Sequence, residues 1–155
     1  MGAASADHAR MTGREEDGAD IDVDIGVGID FGTTNTAVGL APRAGGAHPR
    51  LAELPGPGGA PASTWRTVLF FEADAPPRAG APAIDRFAEV EGEGRLIQSM
   101  KSHLASATFS RTMILGRPRD IEDLVAVYLQ ALRRAAEARL GAALGPRAVV
   151  GRPVR

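Results

Sequence analysis

Several residue types and sequence patterns are absent or rare in this chain, and some of these absences exclude a class of function. None of the 155 residues is cysteine, so a disulfide framework and a thiolate-bound metal are both excluded. Aromatic residues make up only 5% of the sequence, and Lys101 is the single lysine. No apolar run approaches the roughly 18 residues of a transmembrane helix, and the start lacks the basic-then-apolar pattern of a signal peptide. These features predict a cytoplasmic protein with no membrane partner.

The formal net charge of −1 conceals an uneven distribution along the chain. Residues 1–24 hold seven acidic and two basic side chains, a net of −5, whereas residues 25–155 hold twelve and sixteen, a net of +4. A short acidic segment with few apolar side chains cannot bury enough surface to order itself. We therefore predict a disordered acidic tail over 1–24 and one domain over 25–155. The arginine excess in the second part is mild and dispersed, which gives no support to nucleic-acid binding.

The most informative stretch is a polar turn between two apolar runs. The first run ends in Asp30, the turn contains Gly32, Thr33 and Thr34, and an apolar run resumes at Thr36. This pattern predicts a β-hairpin whose tight turn faces a phosphate. Mg²⁺ keeps several waters and uses few carboxylates, so Asp30 is a candidate for orienting its water shell. Glycine allows close backbone approach, and the two threonines offer hydroxyl and N–H donors.

Two other phosphate-binding loops fit the same stretch poorly. A P-loop is excluded because no Gly-x4-Gly-Lys-Ser/Thr run exists. A dinucleotide fingerprint is disfavoured because Phe31 stands where its third glycine belongs, and because residues 36–40 have the pattern of a strand rather than of a helix. An ordinary hairpin with a polar turn remains the alternative.

The remaining chain has the pattern of an α/β layer. The amphipathic spacing of apolar residues predicts a helix from Ile121 to Leu140, with Gly141 ending it. Further predicted elements are a short helix over 96–105, helical turns over 82–89, strands over 24–29, 36–41, 50–54 and 67–72, a buried strand over 148–151, and proline-rich loops over 54–63 and 73–82. The order of strands, long helix and strand predicts a ribonuclease H-like half-domain.

Four segments together carry a family resemblance. They are residues 28–36 (GIDFGTTNT), 66–71 (RTVLFF), 94–104 (GRLIQSMKSHL) and 149–154 (VVGRPV). The first resembles the phosphate-binding hairpin of the actin-like ATPase superfamily. Together they resemble the Hsp70 chaperones, and within them the divergent bacterial YegD-like branch. The resemblance covers about residues 25–155, which correspond to the opening part of the family's nucleotide-binding domain. It implies the actin-like ATPase fold, with only its first lobe represented.

The resemblance also implies ligands and site residues. ATP or ADP with Mg²⁺ would be the cofactors, and the activity would be that of an ATP-hydrolysing molecular chaperone. Asp30, holding Mg²⁺ through water, and Thr33 would be catalytic. The residues in contact with nucleotide would be Gly32, Thr33, Thr34, Asn35 and Lys101. Unfolded protein clients and co-chaperones would bind through regions beyond this chain.

The departures from the family pattern limit the expected activity. Hsp70 enzymes carry a catalytic lysine in a Gly-x-x-Ala-Lys segment, and Ile84 stands at that position here. Asn35 replaces an aromatic residue that many members have. An apolar side chain cannot stabilise the charge of a transferred phosphoryl group. The second phosphate loop and the adenosine-binding segment would also lie beyond Arg155. We therefore expect a fragment that lacks turnover alone.

Two further functions remain open as alternatives. One is a non-enzymatic α/β remnant or binding module, and the other is a sugar-kinase-like member of the same superfamily. A histidine metal site is disfavoured, because His8, His48 and His103 are scattered and lack acidic partners at ligand spacing.

Overall fold

A computed structural model describes residues 25–42, 48–104 and 110–151. Its strands are β1 (Ile25–Phe31), β2 (Asn35–Pro42), β3 (Arg50–Leu51), β4 (Leu54–Pro55), β5 (Pro61–Ala62), β6 (Trp65–Arg66), β7 (Val68–Phe71), β8 (Arg78–Ala79), β9 (Arg95–Gln98), β10 (Arg111–Ile114), β11 (Arg117–Asp120) and β12 (Ala148–Val150). Its helices are α1 (Ala81–Glu89), α2 (Met100–His103) and α3 (Ile121–Leu140), with a 3-10 turn at Pro57–Gly59. The mixed α/β class predicted from the sequence is confirmed. The predicted tail, residues 1–24, lies outside the described residues.

The main sheet is built on the predicted hairpin. β1 and β2 pair antiparallel, and Phe31 opposite Thr36 is the pair nearest the turn. β12 lies parallel to β1 on one side, while β3 and β6 both pair with β2 on the other. Side chains alternate between the two faces of a strand, and the face that carries Val27 and Phe31 is buried. The sequence pattern predicted both strands, and the structure shows which face is buried.

The long helix α3 matches its predicted bounds. Its buried positions are Ile121, Leu124, Tyr128, Leu132 and Ala136. These recur at three- and four-residue spacing, as one face of a helix requires. Gly141 ends the helix in the left-handed conformation, with φ 71°, and its N–H donates to the Glu137 carbonyl at 2.9 Å.

One core cluster joins α3 to the hairpin, and three aromatic rings lie at its centre. The Tyr128 ring is 5.8 Å from Phe31 and 5.8 Å from Trp65, measured between centroids. All three side chains are at most 5% exposed. The same helix therefore supports β1 and β6 at the end of the sheet where the turn lies.

A second, three-stranded sheet has the order β8-β7-β9 and is covered by α1. Val68, Phe70 and Ala83 form its small core, and Ile84 and Phe87 pack against it. Ile84 is thus part of an apolar contact in α1, which gives its aliphatic side chain a packing role.

Several sequence predictions are wrong in this structure. The strand predicted over 50–54 covers only β3, residues 50–51, and a separate strand begins at Leu54. Residues 95–98 form a strand paired with β7, so the helix predicted over 96–105 is reduced to α2, residues 100–103. The predicted loops contain the β4–β5 pair and β8. The strand predicted over 148–151 forms, but it is exposed rather than buried, since Val149 and Val150 are 76% and 49% exposed.

The β10–β11 hairpin was missed entirely by the sequence analysis. Its turn residues, Leu115 and Gly116, both have positive φ. Among the residues described, no helix is long and apolar enough to cross a membrane.

Candidate functional site

The predicted turn forms as expected between β1 and β2. Asp30 is the penultimate residue of β1, and its side chain is exposed on the outer face of the sheet. Thr33 and Thr34 are exposed at the tip. Three groups that can bind an oxyanion or a hydrated cation are therefore accessible at one end of the hairpin.

Gly32 is required by the turn itself. A Cβ at this position would lie 2.2 Å from the carbonyl oxygen of Asn35, which real Cβ atoms essentially never approach so closely. The backbone closes on itself at this point, so only glycine fits. Its presence is explained by local geometry whether or not a phosphate binds.

Lys101 reaches the turn from a distant part of the chain. Its ammonium group donates a hydrogen bond to the carbonyl oxygen of Phe31, the residue before Gly32, and lies 5.8 Å from the centroid of the Phe31 ring. The two residues are 70 positions apart. The sequence resemblance assigned Lys101 to the nucleotide site, and the structure brings its side chain to the predicted turn.

The edge from which Lys101 approaches follows from the strand geometry. The Gly151 N–H donates to the Ile29 carbonyl at 2.8 Å, so this carbonyl faces β12. Carbonyls two residues apart on a strand point the same way. The Phe31 carbonyl therefore faces the β12 edge of the hairpin, and Lys101 lies on that side.

The opposite edge of the turn is held by the segment that follows β6. The Thr67 N–H donates to the Thr34 carbonyl at 2.9 Å. The hydroxyls of Thr36 and Thr67, both at most 1% exposed, are hydrogen-bonded at 2.9 Å. The tip is therefore fixed at both edges, which suits a site that must hold its donors in place.

Tyr128 lies beneath this edge. Burial raises the pKa of its phenol, and the nearby hydroxyls of Thr36 and Thr67 partly oppose that rise. The Tyr128 hydroxyl is nonetheless buried without a hydrogen-bond partner of normal geometry among the described residues. The packing of its ring, rather than its hydroxyl, accounts for its contact with the hairpin.

Asn35 and Arg66 form a contact that the sequence did not predict. The two residues are register partners in the β2–β6 pair, and an Arg66 guanidinium N–H donates to the Asn35 Oδ1 at 3.3 Å. The contact depends on a pairing register between short strands 31 positions apart. Nothing in the local sequence indicated that register.

The donor set fits a hydrated Mg²⁺ and phosphate oxygens better than a directly bound metal. Within the described ranges, no group of three or more His, Asp or Glu side chains is arranged to hold a metal ion. Asp30 is a single exposed carboxylate, which suits contact with a cation through water. His48 lies in an exposed stretch before β3, and His103 belongs to α2.

The site is open rather than enclosed. Two cavities, of about 530 and 910 Å³, lie elsewhere on the molecule, and neither is lined by Asp30, Gly32, Thr33 or Thr34. A ligand at the tip would therefore contact the described residues from one side only.

Comparison with known protein families and with characterised proteins found no match for this chain.

Proposed function

We propose that the β1–β2 turn binds the phosphate groups of ATP or ADP, as the first phosphate hairpin of an Hsp70-like nucleotide-binding domain with the actin-like fold. The observation that carries the proposal is the position of Lys101. The only lysine of the chain is held against the backbone of the residue that precedes Gly32. A fixed cation next to exposed threonine donors is an arrangement that favours an oxyanion.

Each residue of the turn has a distinct part in this proposal. Thr33 and Thr34 donate hydrogen bonds to phosphate oxygens, and Gly32 permits the sharp turn on which these two exposed residues lie. Asp30 accepts hydrogen bonds from the water shell of the Mg²⁺ that accompanies the nucleotide. When bound, that ion would neutralise phosphate charge.

The orientation of the sheet supports the same location. β1 and β12 run parallel, so their carboxyl ends meet at the edge where the turn lies. In open α/β sheets, ligands bind outside the carboxyl ends of the strands. The hairpin tip is at that position.

The openness of the site favours binding without turnover. Ile84 packs in the second core and supplies no charge, and the described residues contact a ligand from one side. Hydrogen bonds worth about 0.5–3 kcal/mol each must offset an association cost of several kcal/mol. We expect a dissociation constant near millimolar and hydrolysis no faster than background. A non-enzymatic binding module is therefore the second candidate.

The test is a nuclear magnetic resonance titration of the full chain with Mg·ATP. We expect progressive shifts of the Gly32, Thr33 and Thr34 amides, and a weaker affinity in Asp30→Asn and Thr33→Ala. Asp74→Asn is the matched control, because Asp74 is also exposed but lies beyond the far end of β7. Shifts that avoid the turn, or equal losses in Asp30→Asn and Asp74→Asn, would refute the proposal.

A further inference from the structure

The proposed site has a second cation, Arg66, on the edge opposite Lys101. β2 has β1 on one side and β6 on the other, so β6 brings Arg66 to the far edge of the hairpin tip. Register partners in an antiparallel pair project from the same face. Arg66 and Asn35 therefore share a face, and Asp30 projects from it too, because it pairs with Ala37 two residues along β2.

The Arg66 guanidinium is held in place by a hydrogen bond, and no carboxylate among the described residues neutralises its charge. It donates a hydrogen bond to the Asn35 side-chain oxygen at 3.3 Å, and it forms no ion pair with any carboxylate of the described ranges. The side chain is exposed. Asn35 uses one of five N–H donors, so the others remain available to a ligand.

We infer that Arg66 binds phosphate oxygens of a polyphosphate ligand and is a specificity-determining residue of the proposed phosphate site. The inference rests on the proposed function, since it assigns a residue to the same site. A guanidinium presents a rigid planar fork that matches two phosphate oxygens at once, whereas an ammonium acts as a point charge.

The two cations have different tasks in this arrangement. Lys101 is partly buried and uses one of its three N–H donors on the Phe31 carbonyl, so it places a fixed positive charge beside the turn. Arg66 is exposed and oriented by Asn35, so it can reach outward to further phosphate oxygens. Together they flank a tip that also presents the exposed carboxylate of Asp30. A ligand that carries several phosphate charges with Mg²⁺ satisfies all three groups.

The experiment compares ligands that contain or lack the polyphosphate. The full chain is titrated at constant ionic strength with Mg·ATP, with inorganic tripolyphosphate plus Mg²⁺, and with adenosine, following the amides of residues 32–34. Arg66→Gln, Arg66→Lys and the control Arg50→Gln are measured beside the wild-type chain. Arg50 is an exposed arginine of the same sheet, paired opposite Leu40, about 16 Å along β2 from Asn35 at ~3.3 Å per residue.

Arg66→Gln should weaken the binding of both polyphosphates about tenfold, the effect of losing a charged hydrogen bond. Arg66→Lys should recover part of the loss, and Arg50→Gln should match the wild-type chain. Adenosine should shift none of the turn amides. An unchanged amide spectrum of each variant away from the turn shows that it is folded.

The two proposals fail in different ways. Turn amides that do not respond to any polyphosphate in the wild-type chain would overturn both. A wild-type response that Arg66→Gln retains at full affinity would overturn the assignment of Arg66 and leave the phosphate site intact. Equal losses in Arg66→Gln and Arg50→Gln would reduce the effect to general electrostatic attraction and would also overturn the assignment.

Discussion

Gly28 and Gly32 belong to one hairpin, but the surrounding structure constrains them differently. A Cβ at Gly32 would meet the Asn35 carbonyl at 2.2 Å, whereas one at Gly28 would meet nothing within 4 Å. Gly32→Ala should therefore lower the free energy of unfolding by about 1–3 kcal/mol, the usual cost of forcing atoms into filled space. Gly28→Ala should change it by less than about 0.5 kcal/mol. Urea denaturation measures both, and equal effects would contradict the described geometry of the turn.

Tyr128 should titrate abnormally, and it is the only tyrosine in the chain. Burial raises its pKa, so the folded protein keeps the phenol protonated at a pH where the unfolded chain, with a pKa of about 10, has lost the proton. The associated stability is complete below that pH and is lost as the pH rises through the folded-state pKa. Phenolate absorbance should therefore appear at higher pH in the folded protein than in urea. Coincident titrations would show that Tyr128 is not buried.

The matched variant for this group is Tyr128→Phe. Because the hydroxyl has no hydrogen-bond partner of normal geometry among the described residues, its removal should change stability at pH 7 by less than about 1 kcal/mol. The variant should also lose the alkaline destabilisation assigned to Tyr128. A larger loss at neutral pH would mean that the hydroxyl is bonded to Thr36 or Thr67.

At the scale of elements, α3 is tied to the segment that leads into β12. Arg133 donates to the Glu137 carboxylate at 2.9 Å and to the Leu144 carbonyl at 2.8 Å, and the Leu144 N–H donates to Glu137 at 2.9 Å. Arg133→Gln should lower the free energy of unfolding by about 1 kcal/mol, because the ion pair is half-exposed. Arg134→Gln, an exposed neighbour, should change it by less than about 0.5 kcal/mol. Thermal denaturation of the two variants tests this prediction, and similar losses of stability in both would contradict it.

The same contacts make the stability of the connection between α3 and β12 depend on pH. Hydrogen bonds from Arg133 and then from the Leu144 backbone lower the pKa of Glu137. The stability they provide is present above the unfolded-state pKa of about 4.3 and is lost as the pH falls through the lower folded-state value. The difference in stability between the wild-type chain and Glu137→Gln should therefore shrink at low pH. A difference that persists at pH 2 would have another cause.

The elements that the sequence predicted well are those with a strong local pattern. The periodicity of α3 and the apolar–polar–apolar order of the hairpin depend on nearby residues, and both formed as expected. Residues 96–98 were misassigned because Leu96 and Ile97 fit either a helix or a strand, and the pairing with β7 decides between them. The β10–β11 hairpin was missed because its Leu-Gly turn is an unusual signal for positive φ.

The residues of the candidate site also differ in whether a local sequence pattern could identify them. Asp30, Gly32, Thr33 and Thr34 are contiguous, so a motif could find them. The contribution of Arg66 depends on the β2–β6 register, which is a tertiary property. The contact of Lys101 with Phe31 likewise depends on where α2 lies relative to β1.

For the whole molecule, weak nucleotide binding should appear as a small gain in stability. If the dissociation constant is near millimolar, 10 mM Mg·ATP should raise the free energy of unfolding by about 1.4 kcal/mol, because ligand binds only the folded state. Adenosine at the same concentration should give no gain, and Asp30→Asn should reduce the effect of Mg·ATP. Micromolar affinity, or phosphate release that Asp30→Asn abolishes, would indicate a complete active site and contradict the expected lack of turnover.

The ring contact between Tyr128 and Trp65 also gives the molecule an intrinsic fluorescence signal that reports on its folding. Each is the single residue of its type, and their centroids are 5.8 Å apart. At that separation, light absorbed by the phenol passes efficiently to the indole, so the folded chain should emit almost entirely as tryptophan. Tyrosine emission should emerge when α3 and β6 separate. Intrinsic fluorescence can thus follow the packing of α3 against β6 without any added label.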